Sequence, residues 1–402
     1  MKLPRYVTLA IDLLESSGFQ AVVVGGAVRD YLLGLTPNDY DISTNARPEE
    51  IKEVFKNYFT LDTGIKHGTI TVFISHQQLE VTTFRREESY NDYRHPSKVF
   101  FEDNLQADVL RRDFTINAIC YNKQLIDLVG GTSDLNNKII RAIGEADQRF
   151  IEDPLRILRA MRFAATLSFT IEDETRQAMF TNIDLLSKIS QERINLEFSK
   201  LLLGIKAKEV VEEYHIIIKK VIPEFIINHN LLALNYLGDN LSLRLVVFFM
   251  NNTYNELYQS LKALKYSNKI IKEVLFYHDN YHLSFTNDEK ELLKMFKKYQ
   301  YEEMQNIILL QLGLAKAQKK DEEIELLTTI QTKLKKIYQK YDCFQIQDLQ
   351  ISGKDLIRLG FSEGVTIRLI LDKLLDEVLA TNLKNNRQEL INYTKHNFLQ
   401  NK

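Results

Sequence analysis

The feature that most constrains the fold of this chain is a change of hydrophobic pattern near residue 145. Before that point, short β-rich runs at 21–24, 69–74 and 79–84 alternate with helical stretches. After it, apolar residues recur every three or four positions, and glycine and proline are sparse. The pattern predicts an α+β fold, in which a mixed sheet with helices is followed by an all-helical remainder.

Two further stretches before residue 145 have strand character. Residues 118–121 and 125–129 are expected to form a hairpin, and residues 134–143 are expected to close the first part with another strand.

The bulk properties exclude several classes of protein. No run of eighteen apolar residues occurs, so a membrane span is not expected. Asp12 and Glu15 interrupt the apolar residues at the N-terminus, which favours a cytoplasmic protein without a signal peptide. Two distant cysteines argue against a disulfide framework or a zinc site. A net charge of −2 excludes coating of nucleic acid by overall charge, but it permits a local basic surface.

A glycine pair marks a candidate phosphate site. Gly25 and Gly26 follow the apolar run VVV and precede a stretch of helical character that ends near Gly34. Glycines at such a junction let backbone N–H groups approach a phosphate. Arg29 stands on the first turn, where its guanidinium could bind a triphosphate. Taken alone, such a turn is as consistent with a purely structural role.

Three carboxylates follow at a spacing that suits metal binding. Asp39 and Asp41 flank Tyr40, and in a strand their side chains would project to one face and could bind Mg²⁺. Glu80, expected at the start of a strand, would support them as a third catalytic carboxylate. Such a group suits phosphoryl transfer by a two-metal mechanism. An acidic surface turn is the alternative interpretation of the DYD motif.

The order of these motifs resembles the nucleotidyltransferase superfamily that includes DNA polymerase β. More narrowly, the chain resembles the class II tRNA nucleotidyltransferases and the bacterial poly(A) polymerases. The segments that carry the resemblance are GGAVRD with DYD at 25–41, EVTTFR at 80–85, LRRDFTINAI at 110–119, DLVGG at 127–131, RAIGEADQRFIEDPLRILRAMRFAA at 141–165 and SQERINLEF at 190–198.

The resemblance implies a four-part chain that adds CCA to the 3′ end of tRNA from CTP and ATP without a template. Residues 1–145 would be the catalytic head, 146–205 a helical neck that recognises the nucleobase, 206–340 a helical body, and 341–402 a helical tail that binds tRNA. The resemblance also implies that the nucleotide contacts Gly25, Gly26, Arg29, Arg111, Arg112, Asp153, Arg156, Arg159 and Arg162. The segment Arg111-Arg112-Asp113 is expected to open a helical stretch.

Asp153 and Arg156 are candidates for choosing the base. Cytosine and adenine both present an exocyclic amine beside a ring-nitrogen acceptor, so a carboxylate and a guanidinium match both bases. Uracil and guanine present the reverse order and would be left with unpaired groups. The resemblance implies the same role. The alternative is an ion pair between these two residues, which stand three positions apart on one expected helix.

Other activities remain compatible with these motifs. Addition of adenosine alone, poly(A) synthesis and a catalytically silent tRNA-binding protein are the alternatives. The segment Glu88–Asn104 resembles the flexible loop that full CCA-adding enzymes carry, which favours CCA addition. It departs from the family at Arg94-His95-Pro96, where the usual sequence is RRP.

The expected partners are tRNA, CTP and ATP, with no membrane, for a monomer or a homodimer. In the tail, the basic residues expected to contact RNA are Lys354, Arg358, Arg368 and Lys373. His278-Asp279 resembles a metal-binding HD pair, but the further ligands that such a site needs are not evident, so it is not assigned.

Overall fold

The computed structural model describes residues 1–90 and 96–399. The chain forms two compact units. The first contains Met1–Ile227 and Glu256–Ser267, and the second contains Asn228–Asn255 and Asn268–Lys402.

The strands lie in the first unit. They are β1 Ala21–Val24, β2 Asp41–Thr44, β3 Phe59–Gly64, β4 Thr69–Ile74, β5 Gln77–Thr83, β6 Arg85–Tyr90, β7 Pro96–Phe101, β8 Cys120–Asn122, β9 Gln124–Ile126, β10 Ile139–Ile140 and β11 Thr170–Ile171.

Helices surround the strands and continue through the rest of the chain. They are α1 Arg5–Ser16, α2 Gly26–Leu32, α3 Pro48–Val54, α4 Leu105–Leu110, α5 Gly131–Asn137, α6 Ala146–Glu152, α7 Leu155–Leu167, α8 Asp173–Thr181, α9 Gln191–Leu202, α10 Ala207–Glu213, α11 His215–Val221, α12 Leu241–Phe248, α13 Tyr254–Ala263, α14 Asn268–Asn280, α15 Glu289–Phe296, α16 Tyr301–Ala317, α17 Asp321–Lys340, α18 Gly353–Arg358, α19 Val365–Leu379 and α20 Arg387–Thr394.

The main sheet has seven strands in the order β3-β4-β5-β2-β1-β8-β9. Its neighbours are antiparallel except for β2 and β5, which run parallel. All four residues of β1 are buried, because β1 lies between β2 and β8 inside the sheet. Position within the sheet therefore explains why this strand reads as a continuous apolar run rather than an alternating one.

One hydrophobic cluster lies beside the glycine turn. It consists of Val22, Val24, Phe84, Val109, Ala118, Cys120 and Ile143. Full burial of one large apolar side chain contributes about 2–3 kcal/mol. Cys120 lies in this core, and burial raises the pKa of its thiol to about 12, so it stays protonated and unreactive at neutral pH.

Most of the predicted pattern is confirmed, including the α+β class and the hairpin, which forms between β8 and β9. The predicted strand at 134–143 is wrong over its first half, because Gly131–Asn137 is helical and only Ile139–Ile140 pairs as a strand. Its partner is Thr170–Ile171, so the part after residue 145 is not purely helical.

The second unit is built from helices. Within it, α16 packs against α17 and against the 3-10 helix His229–Tyr236. In the described part of the chain, no helix combines the length and apolarity needed to span a bilayer.

Candidate active site

Three neighbouring strands bring the glycine turn and two carboxylates into one row. Val24, the residue before the turn, pairs with Asp41 across β1 and β2. Asp41 in turn pairs with Glu80 across the parallel strands β2 and β5. Residues directly opposite each other in a sheet carry their side chains on the same face. Asp41 and Glu80 therefore lie side by side, next to the turn.

Asp39 joins Asp41 and Glu80 in the lining of one open cavity of about 470 Å³. All three residues are exposed to solvent. We call them the carboxylate row.

Two of the expected backbone positions are wrong. β2 begins at Asp41, so Asp39 precedes the strand, and the two carboxylates of the DYD motif do not project from one strand. Glu80 is the central residue of β5 rather than its first, because β5 already starts pairing with β4 at Gln77. The cavity nevertheless brings the three side chains together.

The surroundings of Asp41, including the other two carboxylates of the row, change its pKa. Partial loss of hydration raises the pKa of Asp41 to about 6, the charges of Glu80 and Asp39 raise it in the same direction, and Arg112 opposes them. Because Asp41 is exposed to solvent, screening reduces the effect of this pKa shift on the stability of the folded protein. The upward direction follows first from the loss of hydration, which disfavours the charged carboxylate, and then from like charges held close together.

The donor set of the row fits a hard divalent cation such as Mg²⁺, which prefers carboxylate oxygens. Across residues 1–90 and 96–399, no three His, Cys, Asp or Glu side chains already converge closely enough to hold an ion. A cation at this edge would therefore have to draw the carboxylates closer, which the open cavity permits.

The glycine turn lies against two arginines. Gly25 has φ of 79° and ψ of −139°, a conformation that side chains strongly disfavour. A Cβ at Gly25 would lie 3.9 Å from Nη1 of Arg112, and one at Gly26 would lie 3.6 Å from Nη2 of Arg29. α2 starts at Gly26, as the sequence predicts, and carries Arg29. A phosphate that approached the turn would meet both guanidinium groups.

Asp108 holds the next two arginines. Its Oδ1 accepts a hydrogen bond from Nε of Arg111 at 2.9 Å, and its Oδ2 accepts one from Nη2 of Arg112 at 2.8 Å. Burial alone would raise the pKa of Asp108, but the two guanidinium groups outweigh it and lower the pKa to about 2. Arg112 also donates to the Ser43 hydroxyl at 3.2 Å, two residues after Asp41.

Nε of Arg112 is buried without a hydrogen-bond partner in the described part of the chain. A buried donor of this kind is costly unless a ligand satisfies it. The expectation that Arg111 opens a helix is wrong. Arg111 closes α4, which begins earlier because Asn104 caps it through the N–H of Gln106.

A chain of hydrogen bonds links Arg29 to α7. Nη1 of Arg29 donates to Oδ1 of Asn117 at 2.7 Å, and Nδ2 of Asn117 donates to Oδ1 of Asp113 at 3.2 Å. Oδ2 of Asp113 accepts from Nε and Nη2 of Arg159 at 2.8 and 2.6 Å. Burial opposes ionisation of Asp113, yet Arg159 and its neighbours lower the pKa of that carboxyl to about 2.

Phe163 lies at the centre of three arginines. The guanidinium carbons of Arg162, Arg29 and Arg159 lie 3.9, 5.1 and 5.5 Å from the centre of its ring, within cation–π range. Glu197 on α9 completes the group by accepting from Nε of Arg162 at 2.5 Å and from Nη1 of Arg159 at 3.4 Å. We call Arg29, Arg111, Arg112, Arg159 and Arg162, with these partners, the arginine network.

Four members of the network were not assigned a role from the sequence. They are Asp108, Asn117, Phe163 and Glu197. A signal was available, because arginines recurring at three-residue spacing on a largely apolar helix need buried carboxylates to pair with. The segment 190–198, which contains Glu197, was recognised only as a motif.

Asp153 and Arg156 do not share one helix, contrary to expectation. α6 ends at Glu152, Asp153 adopts an extended conformation with φ of −143° and ψ of 96°, and α7 begins after Pro154. Oδ1 of Asp153 caps α7 by accepting from the N–H of Leu155 at 3.1 Å. Its Oδ2 pairs with Arg193 at 2.7 Å.

Arg156 makes a different set of contacts. Its Nη1 lies 2.8 Å from Oε2 of Glu152 and 3.1 Å from the Arg149 carbonyl, and its Nη2 donates to the Arg111 carbonyl at 3.0 Å. The ion pairs of Asp153 and Arg156 are thus made with Arg193 and Glu152, because the helix break at Asp153 removes the i, i+3 geometry. Both side chains are held in defined positions by these partners.

The segment expected to act as a flexible loop is described only in part. β6 and β7 pair in antiparallel fashion on either side of residues 91–95. Arg94 and His95, where the departure from the family occurs, lie outside the described residues.

Family models match three parts of the chain. The Poly A polymerase head domain matches residues 21–141, and the probable RNA and SrmB-binding site of polymerase A matches residues 168–215. The putative tRNA nucleotidyltransferase domain 2 matches residues 241–394.

Curated relatives and a solved structure agree with these matches. A CCA-adding enzyme of Lactobacillus delbrueckii subsp. bulgaricus is 50% identical over 206 residues, and this match spans 51% of the chain and about half (52%) of that relative's length. A CCA-adding enzyme of Ligilactobacillus salivarius is 36% identical over 398 residues, which cover 96% of this chain and 94% of that one. The crystal structure of the Bacillus stearothermophilus CCA-adding enzyme in complex with CTP superposes with a TM-score of 0.78 at 27% identity and covers 100% of this chain and 99% of that chain.

Proposed function

Because this chain belongs to the family of CCA-adding enzymes, which are tRNA nucleotidyltransferases, we propose that it completes the 3′-terminal CCA of tRNA from CTP and ATP and releases pyrophosphate. The observation that carries the proposal is that the glycine turn, Asp41 and Glu80 lie next to one another on the adjacent strands β1, β2 and β5. It sets an acidic edge directly beside guanidinium groups, as transfer of a nucleotidyl group requires.

In the reaction, the terminal 3′-oxygen of the tRNA bonds to the α-phosphorus of the nucleotide, and the bond from that phosphorus to pyrophosphate breaks. Mg²⁺ bound by Asp39 and Asp41, with Glu80 in support, would supply Lewis-acid stabilisation of the phosphates and of the attacking oxygen. Because the carboxylate row is exposed, the proton released from the hydroxyl can pass directly to water.

The arginines would hold the nucleotide. Arg29 and Arg112 lie against the glycine turn, where they would contact the triphosphate together with the backbone of Gly25 and Gly26. Arg111, Arg159 and Arg162 would complete the contacts. Their carboxylate partners fix the guanidinium groups before the nucleotide arrives, which reduces the entropy that is lost on binding.

Asp153 and Arg156 would select the base. The carboxylate of Asp153 accepts from the exocyclic amine of cytosine or adenine, and the guanidinium of Arg156 donates to the adjacent ring nitrogen. The anchoring of Asp153 by Arg193 and of Arg156 by Glu152 supports this role, because a template must keep a fixed shape.

The division of labour along the chain is part of the proposal. The head at 1–145 would carry the chemistry and the neck at 146–205 the choice of base. The body at 206–340 and the tail at 341–402 would bind tRNA through its backbone shape.

The test uses tRNA that lacks its last three nucleotides, with each labelled nucleotide alone and in pairs. CTP alone should extend the tRNA by two residues, CTP with ATP by three, and UTP or GTP should be incorporated poorly. Extension by ATP only on a tRNA that already ends in CC would indicate an enzyme that adds adenosine alone. Long tails from ATP alone would indicate a poly(A) polymerase, and no extension at all would indicate a silent tRNA-binding protein.

A further inference from the structure

A stack of aromatic rings in the second unit runs from its core to its surface. The ring centres of Phe296 and Phe344 are 4.2 Å apart, those of Phe344 and Tyr338 5.6 Å, and those of Tyr338 and Tyr301 4.1 Å. The interplanar angles are 27°, 18° and 9°. Phe296 is 1% exposed, whereas Tyr338 is 46% exposed. We call these four rings the aromatic stack. It is anchored inside the unit and accessible from outside.

The aromatic stack lines a cavity of about 510 Å³ together with Tyr299 and Tyr341. A nucleobase can stack on the end of such a series of nearly parallel rings, because every nucleobase has a flat π-face that stacks on an aromatic side chain. Proteins that recognise unpaired RNA bases use this contact.

The polar groups of the same cavity favour a base over a phosphate. Asp342 and Glu302 are exposed at its edge. Asp348 accepts hydrogen bonds from the N–H groups of Phe344 and Gln345 at 3.0 and 2.8 Å. Carboxylates repel phosphate but accept hydrogen bonds from the amines of bases.

A neighbouring cavity of about 400 Å³ has the opposite charge. Lys333, Lys336 and Lys340 line it, with Glu289 as the acidic residue among its lining. Their spacing places them on one face of α17. Lys340 pairs with Glu289 at 2.9 Å and Lys333 donates to the Asn287 carbonyl. Lys336 is exposed to solvent in the same cavity. We call these three lysines the lysine strip.

The two cavities adjoin at Glu289, whose Oε1 accepts hydrogen bonds from Lys340 of the lysine strip at 2.9 Å and from Tyr341, which lines the cavity of the aromatic stack, at 3.1 Å. Basic groups for the backbone, beside aromatic rings for bases, are the combination that binds single-stranded nucleic acid. We propose that this surface binds the tRNA, with phosphates on the lysine strip and one unpaired base of the same strand on the aromatic stack. The inference rests on the proposed function, because it assigns a place to the tRNA that the enzyme extends.

The test uses the full-length protein and a tRNA lacking CCA. Tyr338→Ala should weaken tRNA binding at least about five-fold, the lower limit for loss of one stacked base. It should raise KM for tRNA while leaving kcat at saturating tRNA unchanged. Tyr338→Phe keeps the ring and should bind within about two-fold of the wild type.

The lysine strip is tested by salt dependence. Lys336→Ala should lower the slope of log Kd against log salt by about one, the value for one lost phosphate contact. Lys335→Ala is the matched control, because Lys335 is an exposed neighbour on α17 that does not line the cavity. Its slope should equal that of the wild type, as should the slope of Tyr338→Ala.

Two results would overturn the inference. One is a folded Tyr338→Ala protein that binds tRNA as tightly as the wild type. The other is a Lys336→Ala slope equal to that of Lys335→Ala, and this comparison stays decisive if Tyr338→Ala fails to fold. CCA addition by the wild-type protein is measured separately, so the failure of this surface and the failure of the proposed activity give different results.

Discussion

The carboxylate row and the arginine network lie next to each other in the first unit, but their charges are compensated differently. Asp39, Asp41 and Glu80 are exposed, and partial loss of hydration, together with the charges of Glu80 and Asp39, raises the pKa of Asp41. The arginines are largely buried and are paired with carboxylates such as Asp108 and Asp113, whose pKa values fall to about 2.

The difference indicates which region depends on a ligand. The carboxylate row gains stability when a cation neutralises it, because like charges at close range are unfavourable. The charges of the arginine network are already neutralised by its own carboxylates, so its geometry exists before substrate arrives. Metal should therefore order the first region and leave the second nearly unchanged.

The largest expected effect is the loss of activity in Asp41→Ala. Removal of a metal ligand forfeits several kcal/mol of transition-state stabilisation, so nucleotide incorporation should fall about 10³-fold or more. The unfolding midpoint in a chelator should stay equal or rise, because a repulsive charge is lost. Incorporation by rapid quench and thermal unfolding measure the two effects. Asp12→Ala, an exposed carboxylate outside the cavity, should change neither, and near-normal turnover of Asp41→Ala would refute the metal assignment.

The second effect is an opposite pH dependence of the two regions. The pKa values of Asp108 and Asp113 are lower in the folded protein than the usual 3.8. Their stabilisation is therefore complete above pH about 4 and is lost towards pH about 2, by about 2 kcal/mol for each carboxylate. The pKa of Asp41 is raised to about 6, so its protonation should increase stability as pH falls from about 7 to 4.

Urea unfolding at a series of pH values in a chelator isolates these contributions. The difference between wild type and Asp41→Asn should change between pH about 7 and 4, where Asp41 titrates. The difference between wild type and Asp113→Asn should change only below pH about 4. Two difference profiles with the same sign would contradict the contrast between the regions.

The third effect is a loss of stability in Asp113→Asn of about 2–3 kcal/mol, because Arg159 would lose a buried charged partner. Asp173→Asn is the matched control, since its ion pair with Arg176 is solvent-exposed and should contribute less than about 1 kcal/mol. Equal losses in the two variants, measured by urea unfolding, would show that the network is not stabilised from within.

The smallest expected effect is a relaxed choice of base in Arg156→Ala. Without the guanidinium, discrimination of CTP and ATP against UTP and GTP should fall about ten-fold or more, because the contact to the ring nitrogen is lost. Relative kcat/KM measures it, for CTP against UTP and GTP on tRNA ending at the discriminator base and for ATP against UTP and GTP on tRNA ending in CC. Glu152→Gln removes the ion-pair partner of Arg156 and should relax selectivity less than Arg156→Ala does, because the carbonyls of Arg149 and Arg111 still hold the guanidinium. Unchanged selectivity in a folded Arg156→Ala protein would contradict the template role.

The sequence by itself determined the features that depend on local rules. Alternation and β-branched runs placed the strands at 21–24 and 69–74, and helical periodicity predicted the helical remainder. The glycine pair marked the turn that Gly25 forms with a positive φ. The family followed from motifs that stand in a characteristic order and spacing along the chain.

Only the tertiary structure decided which charges meet. Asp41 and Glu80 are neighbours through the parallel register of β2 and β5, which no local pattern encodes. The partners of the arginines, such as Glu197 for Arg162, come from segments far apart in the chain. Because the helix breaks at Asp153, its carboxylate forms an ion pair with Arg193. Periodicity reports which face of an element is buried, but the partner of a buried charge depends on which elements pack together, and that is a property of the whole fold.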